Sequence, residues 1–116
     1  MIKQLVQAGF GAFGLRLTRL ESTHHYLDQM GLFFSALRSR GFSPKHIVDV
    51  GANHGYWTRT ALNYFPDSFY TLIEPQDHLK QEVQDLLSRR DNKVQWIAAG
   101  ASDKLGILPF TVDPPS

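Results

Sequence analysis

Two features of this sequence could do chemistry: the run Asp49-Val50-Gly51-Ala52-Asn53-His54-Gly55 and the acidic residue Glu74. The run has the residue types of a strand-to-helix turn. Its glycines permit tight backbone angles and leave amide N–H groups exposed at the start of a helix near Tyr56. Such a terminus attracts an anion. A pyrophosphate turn needs Gly-x-Gly-x-x-Gly for close backbone approach, and here Asn53 and Tyr56 stand at the second and third glycine positions. That argues against a nicotinamide-dependent dehydrogenase half. The Gly-Lys-Ser/Thr order of a triphosphate loop is also missing, which removes ATP hydrolysis. An amino-acid carboxylate is smaller, and Asn53 tolerates left-handed angles, so a nucleoside carrying an amino-acid tail fits this turn better.

Glu74 falls at the end of the next apolar run, where an acidic side chain can take both hydroxyls of a bound ribose. Asp49 stands inside an apolar strand, where an unpaired carboxylate is costly. It must find N–H partners or a cation, and it is expected to brace the turn and face the ammonium of the ligand. An isolated Gly-x-x-x-Gly would be a plain β-α connection; Asp49 before it and Glu74 after it make a binding turn the favoured reading. His54 has no nucleophile or carboxylate partner identifiable nearby, so a loop side chain without catalytic role is expected. Tyr56 and Trp57 could stack on a ligand, although core packing is favoured for Trp57. His24 and His25 are adjacent on a helix and point apart, which makes them solvated surface rather than a metal pair. No metal site is expected.

The elements that must position these residues follow from periodicity. Ser22 and Thr23 are good N-caps, and Leu27, Met30, Phe33, Phe34 and Leu37 recur at helical spacing up to Arg40, with Gly41 and Pro44 as the stop. Residues 46–50 read as a buried β-branched strand, 56–64 as a helix, and 69–73 as a second strand. Residues 77–90 place Leu79, Val83, Leu86 and Leu87 on one face of a surface helix. Residues 94–98 form a third strand. This β-α-β-α-β order predicts an α/β fold with three parallel strands joined by crossover helices. Asp103 to Gly106 reads as a turn, and Ile107 to Val112 as a C-terminal strand that Pro109 confines to an edge.

Composition bounds the rest. A chain of 116 residues has room for one domain or part of one, divided here into a lead-in (1–21) and a partial binding domain (22–116). Charged residues are 20% and hydrophobic residues 42%, which separates it from disordered chains. A net charge of +1 without a Lys/Arg run gives nucleic acid little to hold. The absence of cysteine excludes disulfides and thiolate sites and fits a cytoplasmic location. No apolar run approaches the roughly 20 residues of a transmembrane helix. Residues 1–20 mix apolar and basic side chains without the pattern of a signal peptide, leaving a weak membrane-surface reading beside the favoured one, a loosely ordered lead-in.

Three stretches carry a family resemblance: Gly41-Phe42-Ser43-Pro44 with Ile47 to Thr58; Phe65-Pro66 with Leu72-Ile73-Glu74-Pro75-Gln76; and Ala98 to Gly106 with Phe110. They resemble the FkbM-type methyltransferases, which act on oxygen atoms of sugars, polyketides and related small metabolites. The resemblance implies a truncated Rossmann-like class I methyltransferase fold and S-adenosylmethionine as cofactor. It implies that Asp49, Gly51, Ala52, Asn53, His54 and Gly55 hold the methionyl end and that Glu74 holds the ribose. Pro75, Gln76 and the loop from Ala99 to Ser102 would line the adenine. The acceptor would be a small-molecule hydroxyl.

Family members continue through a fourth strand with an acidic motif and three further strands that carry the substrate pocket, which this sequence does not contain. The chain is therefore expected to represent the cofactor-holding half and to be inactive alone. The alternative is a non-catalytic nucleoside-binding or interaction fragment. With strand order 3-2-1-4-5, the 46–50 strand would be left unpaired on one side, which predicts self-association through an exposed sheet edge.

Overall fold

The computed structural model describes residues 11–112, with side chains from His25 onward. A long helix α1 (Gly11–Ser39) leads into strand β1 (His46–Val50), helix α2 (Tyr56–Tyr64) and strand β2 (Phe69–Ile73). A 3-10 segment (Asp77–Val83) runs into the single-turn helix α3 (Gln84–Leu87), and strand β3 (Val94–Ile97) follows. The three strands are parallel in the order β1-β2-β3, so the architecture is α/β as the sequence predicts.

The register pairs Ile47 with Tyr70, Asp49 with Leu72, Tyr70 with Val94 and Leu72 with Trp96. Those residues share one sheet face, and the core lies on it. Tyr70 and Leu72 pack there with Phe34 of α1, Ala61 and Leu62 of α2, Val83, Leu86 and Val94. Phe34 is the hub between layers: its ring meets Trp57 edge-on at 5.3 Å and Phe65 at 5.9 Å. Trp57 is thus a core residue, as expected. Gly31 is buried and lies close to Tyr64, so that a Cβ there would sit 3.0 Å from the Tyr64 hydroxyl.

Four sequence expectations need correction. Helix α1 does not begin at Ser22 and Thr23 but at Gly11, so residues 11–21 are helical rather than a loosely ordered lead-in. Ser and Thr cost only a few tenths of a kcal/mol inside a helix, and no proline interrupts the run. Residues 1–10 lie outside the described residues, as does most of the weak membrane-surface reading. Within α1 the buried stripe uses Phe34 with Met30 and Leu37, while Phe33 is 55% exposed.

The helix predicted over 77–90 is mostly 3-10, with only Gln84–Leu87 as α-helix. The Gln76 amide is held by Glu74 at its start, and the Leu79 amide closes a tight turn onto the Gln76 carbonyl, 3.0 Å. The apolar face is still the predicted one: Leu79, Val83 and Leu86 are buried. Finally, Asp103–Gly106 bends as expected, but residues 107–112 form no strand and are exposed throughout. No described strand edge lies against them, and Pro109 removes a donor. Among the described residues no helix is long and apolar enough to cross a membrane.

Candidate functional site

The turn after β1 and the end of β2 meet at the carboxyl ends of the strands, where open α/β sheets place ligands. The contact is direct. The Asn53 amide donates to Glu74 Oε2 at 2.9 Å, and the Gln76 amide donates to Glu74 Oε1 at 2.9 Å. Glu74 is 3% exposed, so its carboxylate works as a clasp between the β1–α2 turn and the segment after β2. Each oxygen has accepted one bond and keeps a lone pair for another.

The turn needs its unusual backbone angles. Gly51 and Gly55 have φ of 77° and 79°, and Asn53 adopts 50°, as its type permits. A Cβ on Gly51 would meet nothing within 4 Å, which leaves open space above the turn. At Gly55 it would strike Val83 Cγ1 at 2.6 Å. That glycine lets the turn lie on the 3-10 segment.

The amides do not all fan outward. Gly51 and Ala52 both donate to the Ile73 carbonyl, at 2.8 and 3.1 Å, and Gly55 donates to the Ala52 carbonyl at 2.8 Å. With Asn53 bound to Glu74, most of the turn's donors are committed to holding its shape. The donors left for an anion belong to the first turn of α2, from Tyr56 onward, where Gly55 is the N-cap and supplies no side-chain bond.

Asp49 is buried at 8% exposure, and its Oδ2 accepts the Thr58 hydroxyl at 2.6 Å. Thr58 is wholly buried on α2, so this bond ties the strand to the helix beneath the turn. Burial pushes the Asp49 carboxyl above the ordinary range; the Thr58 hydrogen bond opposes this, and the nearby Glu74 charge adds to it. Asp49 Oδ1 has no bond, yet no side-chain polar atom is both buried and unpaired among the described residues. That oxygen therefore keeps solvent contact and can meet a cation.

His54 does have a carboxylate partner, which sequence spacing did not reveal: its Nδ1 contacts Glu82 Oε2. Its ring also lies 5.7 Å from that of Tyr56. Beside it, Arg59 binds both oxygens of Asp85, at 2.6 and 2.8 Å, and the Glu82 carbonyl at 3.0 Å. Arg59 holds the Asp85 carboxyl down to about 2. These contacts fasten the turn and α2 to the segment carrying Glu82 and Asp85.

Pro75 and Gln76 are half-buried beside Glu74. Ala99 follows the end of β3, where its amide turns back to the Ile97 carbonyl at 3.0 Å. The Glu74 amide donates to that same carbonyl at 3.1 Å. All ten residues singled out from the sequence thus lie on three consecutive segments at one end of the sheet.

Thr58, Glu82 and Arg59 were missed. Thr58 carried a weak signal, since a hydroxyl nine residues after a buried acid and on the following helix can reach it. Glu82 and Asp85 carried none, because their partners are more than 25 residues away in sequence. A separate cavity of about 450 Å³ lies at the opposite end of the sheet, lined by Lys45, His46, Phe69, Tyr70, Asn92, Lys93 and Gln95. It contains no carboxylate suited to sugar hydroxyls. Among the described residues no cluster of three or more His, Cys, Asp or Glu could hold a metal ion.

No protein-family model matches the chain, and no curated protein matches it. Among solved structures it is similar to a protein assigned as a caffeoyl-CoA O-methyltransferase from Staphylococcus aureus, with 19% identity and a TM-score of 0.47. The match covers 83% of this chain and 47% of that one, so the chain spans about half the length of that protein.

Proposed function

We propose that residues 46–102 form the S-adenosylmethionine-binding part of an O-methyltransferase of the FkbM type. The observation that supports this reading is the 2.9 Å bond from the Asn53 amide to Glu74, which joins the glycine turn to the carboxylate at the end of β2. The residues fit the ligand in charge and order. The uncapped first turn of α2 suits the amino-acid carboxylate, Asp49 Oδ1 the ammonium, and the remaining lone pairs of Glu74 the two ribose hydroxyls. Pro75, Gln76 and Ala99 then flank the adenine.

When bound, the ligand would supply a sulfonium methyl for transfer to an acceptor hydroxyl on a sugar, polyketide or other small metabolite. The protein's contribution is to hold the two reactants in line, which can supply much of the barrier reduction. This chain's own residues account for binding the methyl donor. The acceptor wall and any base for the hydroxyl proton are not assigned to them.

Isothermal titration with S-adenosylmethionine and with S-adenosylhomocysteine tests the reading, with NAD as the comparison ligand. Saturable binding of the two sulfur nucleosides and none of NAD is expected. Binding of NAD alone would overturn it.

A further inference from the structure

Asp49 brings a charge into the fold that its one side-chain bond does not require. It lies one residue before the end of β1, and among the described residues no lysine, arginine or histidine pairs with it. The bond it has is from the Thr58 hydroxyl to Oδ2, 2.6 Å. The charged group acting on it is Glu74, at the end of the neighbouring strand, and that charge has the same sign. If the bond served only to tie β1 to α2, an asparagine or a serine would accept it without carrying a charge into the interior. A carboxylate held there without a resident cation suits a cation that arrives with a ligand.

Thr58 is placed to control how that carboxylate is presented. A helical threonine can turn its hydroxyl back to a carbonyl of the preceding turn. Thr60 does so, donating to the Tyr56 carbonyl at 3.1 Å. Thr58 is wholly buried and sends its hydroxyl across to the strand instead. It belongs to the first turn of α2, whose amides have no side-chain cap and suit an amino-acid carboxylate. An α-amino acid carries its ammonium and its carboxylate on one carbon, so the groups that take them must stand side by side. The bond from Thr58 joins those two groups, and by occupying Oδ2 it fixes Oδ1 as the outward oxygen.

We propose that Thr58 is a positioning residue for the methyl donor, setting the Asp49 carboxylate so that Oδ1 meets the ammonium of the amino-acid tail while the first turn of α2 takes the tail's carboxylate, a role that rests on the S-adenosylmethionine reading. Thr58 acts only through Asp49. It also helps to keep that group charged: burial raises the Asp49 carboxyl, the Thr58 bond pulls it back, and the Glu74 charge raises it further. Removing the hydroxyl therefore moves the ionisation of Asp49 to higher pH.

Isothermal titration of the full chain compares S-adenosylhomocysteine with 5′-methylthioadenosine, a thioether of the same nucleoside without an amino-acid tail. Thr58→Val keeps the shape and loses the hydroxyl. Its affinity for S-adenosylhomocysteine should fall about tenfold, while that for 5′-methylthioadenosine changes by less than about twofold. Thr58→Ser should restore the preference, and in Thr58→Val the preference should set in at higher pH than in the unaltered chain. In an Asp49→Asn background, Thr58→Val should leave the ratio of the two affinities unchanged. That double variant buries no unpaired charge, so the comparison stands even where Thr58→Val alone fails to fold. Equal losses for both ligands in Thr58→Val mark a structural tie and overturn the proposal, as does no loss for either or a changed ratio in the Asp49→Asn background. An unaltered chain that binds neither ligand overturns the S-adenosylmethionine reading and this role with it. An unaltered chain that prefers S-adenosylhomocysteine by a margin Thr58→Val leaves intact overturns the role alone.

Discussion

Asp49, Thr58 and Glu74 show how two acids coexist beneath one turn. Glu74 is buried with both oxygens on backbone amides, whereas Asp49 has a single hydroxyl donor and a carboxyl raised by burial. A raised acid stabilises the fold fully below its ordinary value and loses that contribution as pH climbs through its folded value, so at neutral pH the ionised Asp49 is a cost. Asp49→Asn keeps an acceptor for Thr58 and removes the charge. It should raise Tm by a few degrees, read by thermal unfolding, while weakening S-adenosylmethionine binding by about tenfold, read by titration. Glu74→Ala should weaken that binding by about 10- to 100-fold, equivalent to about 1.4 to 2.7 kcal/mol. Glu74→Gln should do no better, because its amide NH₂ would face the N–H of Asn53 or Gln76; a loss of about 1–3 kcal/mol in denaturant unfolding is expected. Full affinity in either Glu74 variant would refute the ribose assignment.

At the scale of elements, the cleft depends on how closely the β1–α2 turn lies on the segment from Asp77 to Leu87. Gly55 is where they touch, 2.6 Å being all that separates a would-be Cβ from Val83 Cγ1. Gly55→Ala adds a left-handed penalty of about 1–2 kcal/mol and a clash against a β-branched side chain with little rotamer freedom. The loss of stability should be about 2 kcal/mol or more, and combining it with Val83→Ala should cost less than the sum of the two single changes. Strict additivity in that cycle would show that the two segments do not press on each other. Arg59, Asp85, His54 and Glu82 fasten the same junction from its exposed side, where ion pairs contribute only about 0.2–1 kcal/mol. Packing at Gly55 and Val83, not these charges, sets the spacing.

For the molecule as a whole, the described core lies on one face of the sheet, and Tyr70 sits at its centre. Its hydroxyl donates to the Phe65 carbonyl at 2.9 Å, and burial pushes its phenol up to about 12. The sign follows from linkage: stability is full below the ordinary value near 10 and falls as pH rises toward 12, by at most about 3 kcal/mol. Absorbance titration should show one tyrosine that ionises only with loss of the far-ultraviolet circular dichroism signal. Tyr70→Phe should remove that coupling. The other face of the sheet and the segment after Gly106 remain apolar and exposed, and a domain that buries one sheet face has a smaller core to draw on.

The strands at 46–50 and 69–73 and the helix at 56–64 were legible in the sequence because alternation, helical spacing and glycine or proline stops are local signals. So were Asp49, the glycine turn and Glu74, whose types suit few roles at the ends of strands. Tertiary structure decided what those residues are bonded to: Glu74 to two backbone amides, Asp49 to Thr58, His54 to Glu82. It also made residues 77–83 a 3-10 segment, carried α1 back to Gly11 and left 107–112 without a strand. The physical reason is common to all of these. A strand forms only against another strand, and a carboxylate's partner is whichever donor the folded chain delivers, so neither is a property of neighbours in sequence.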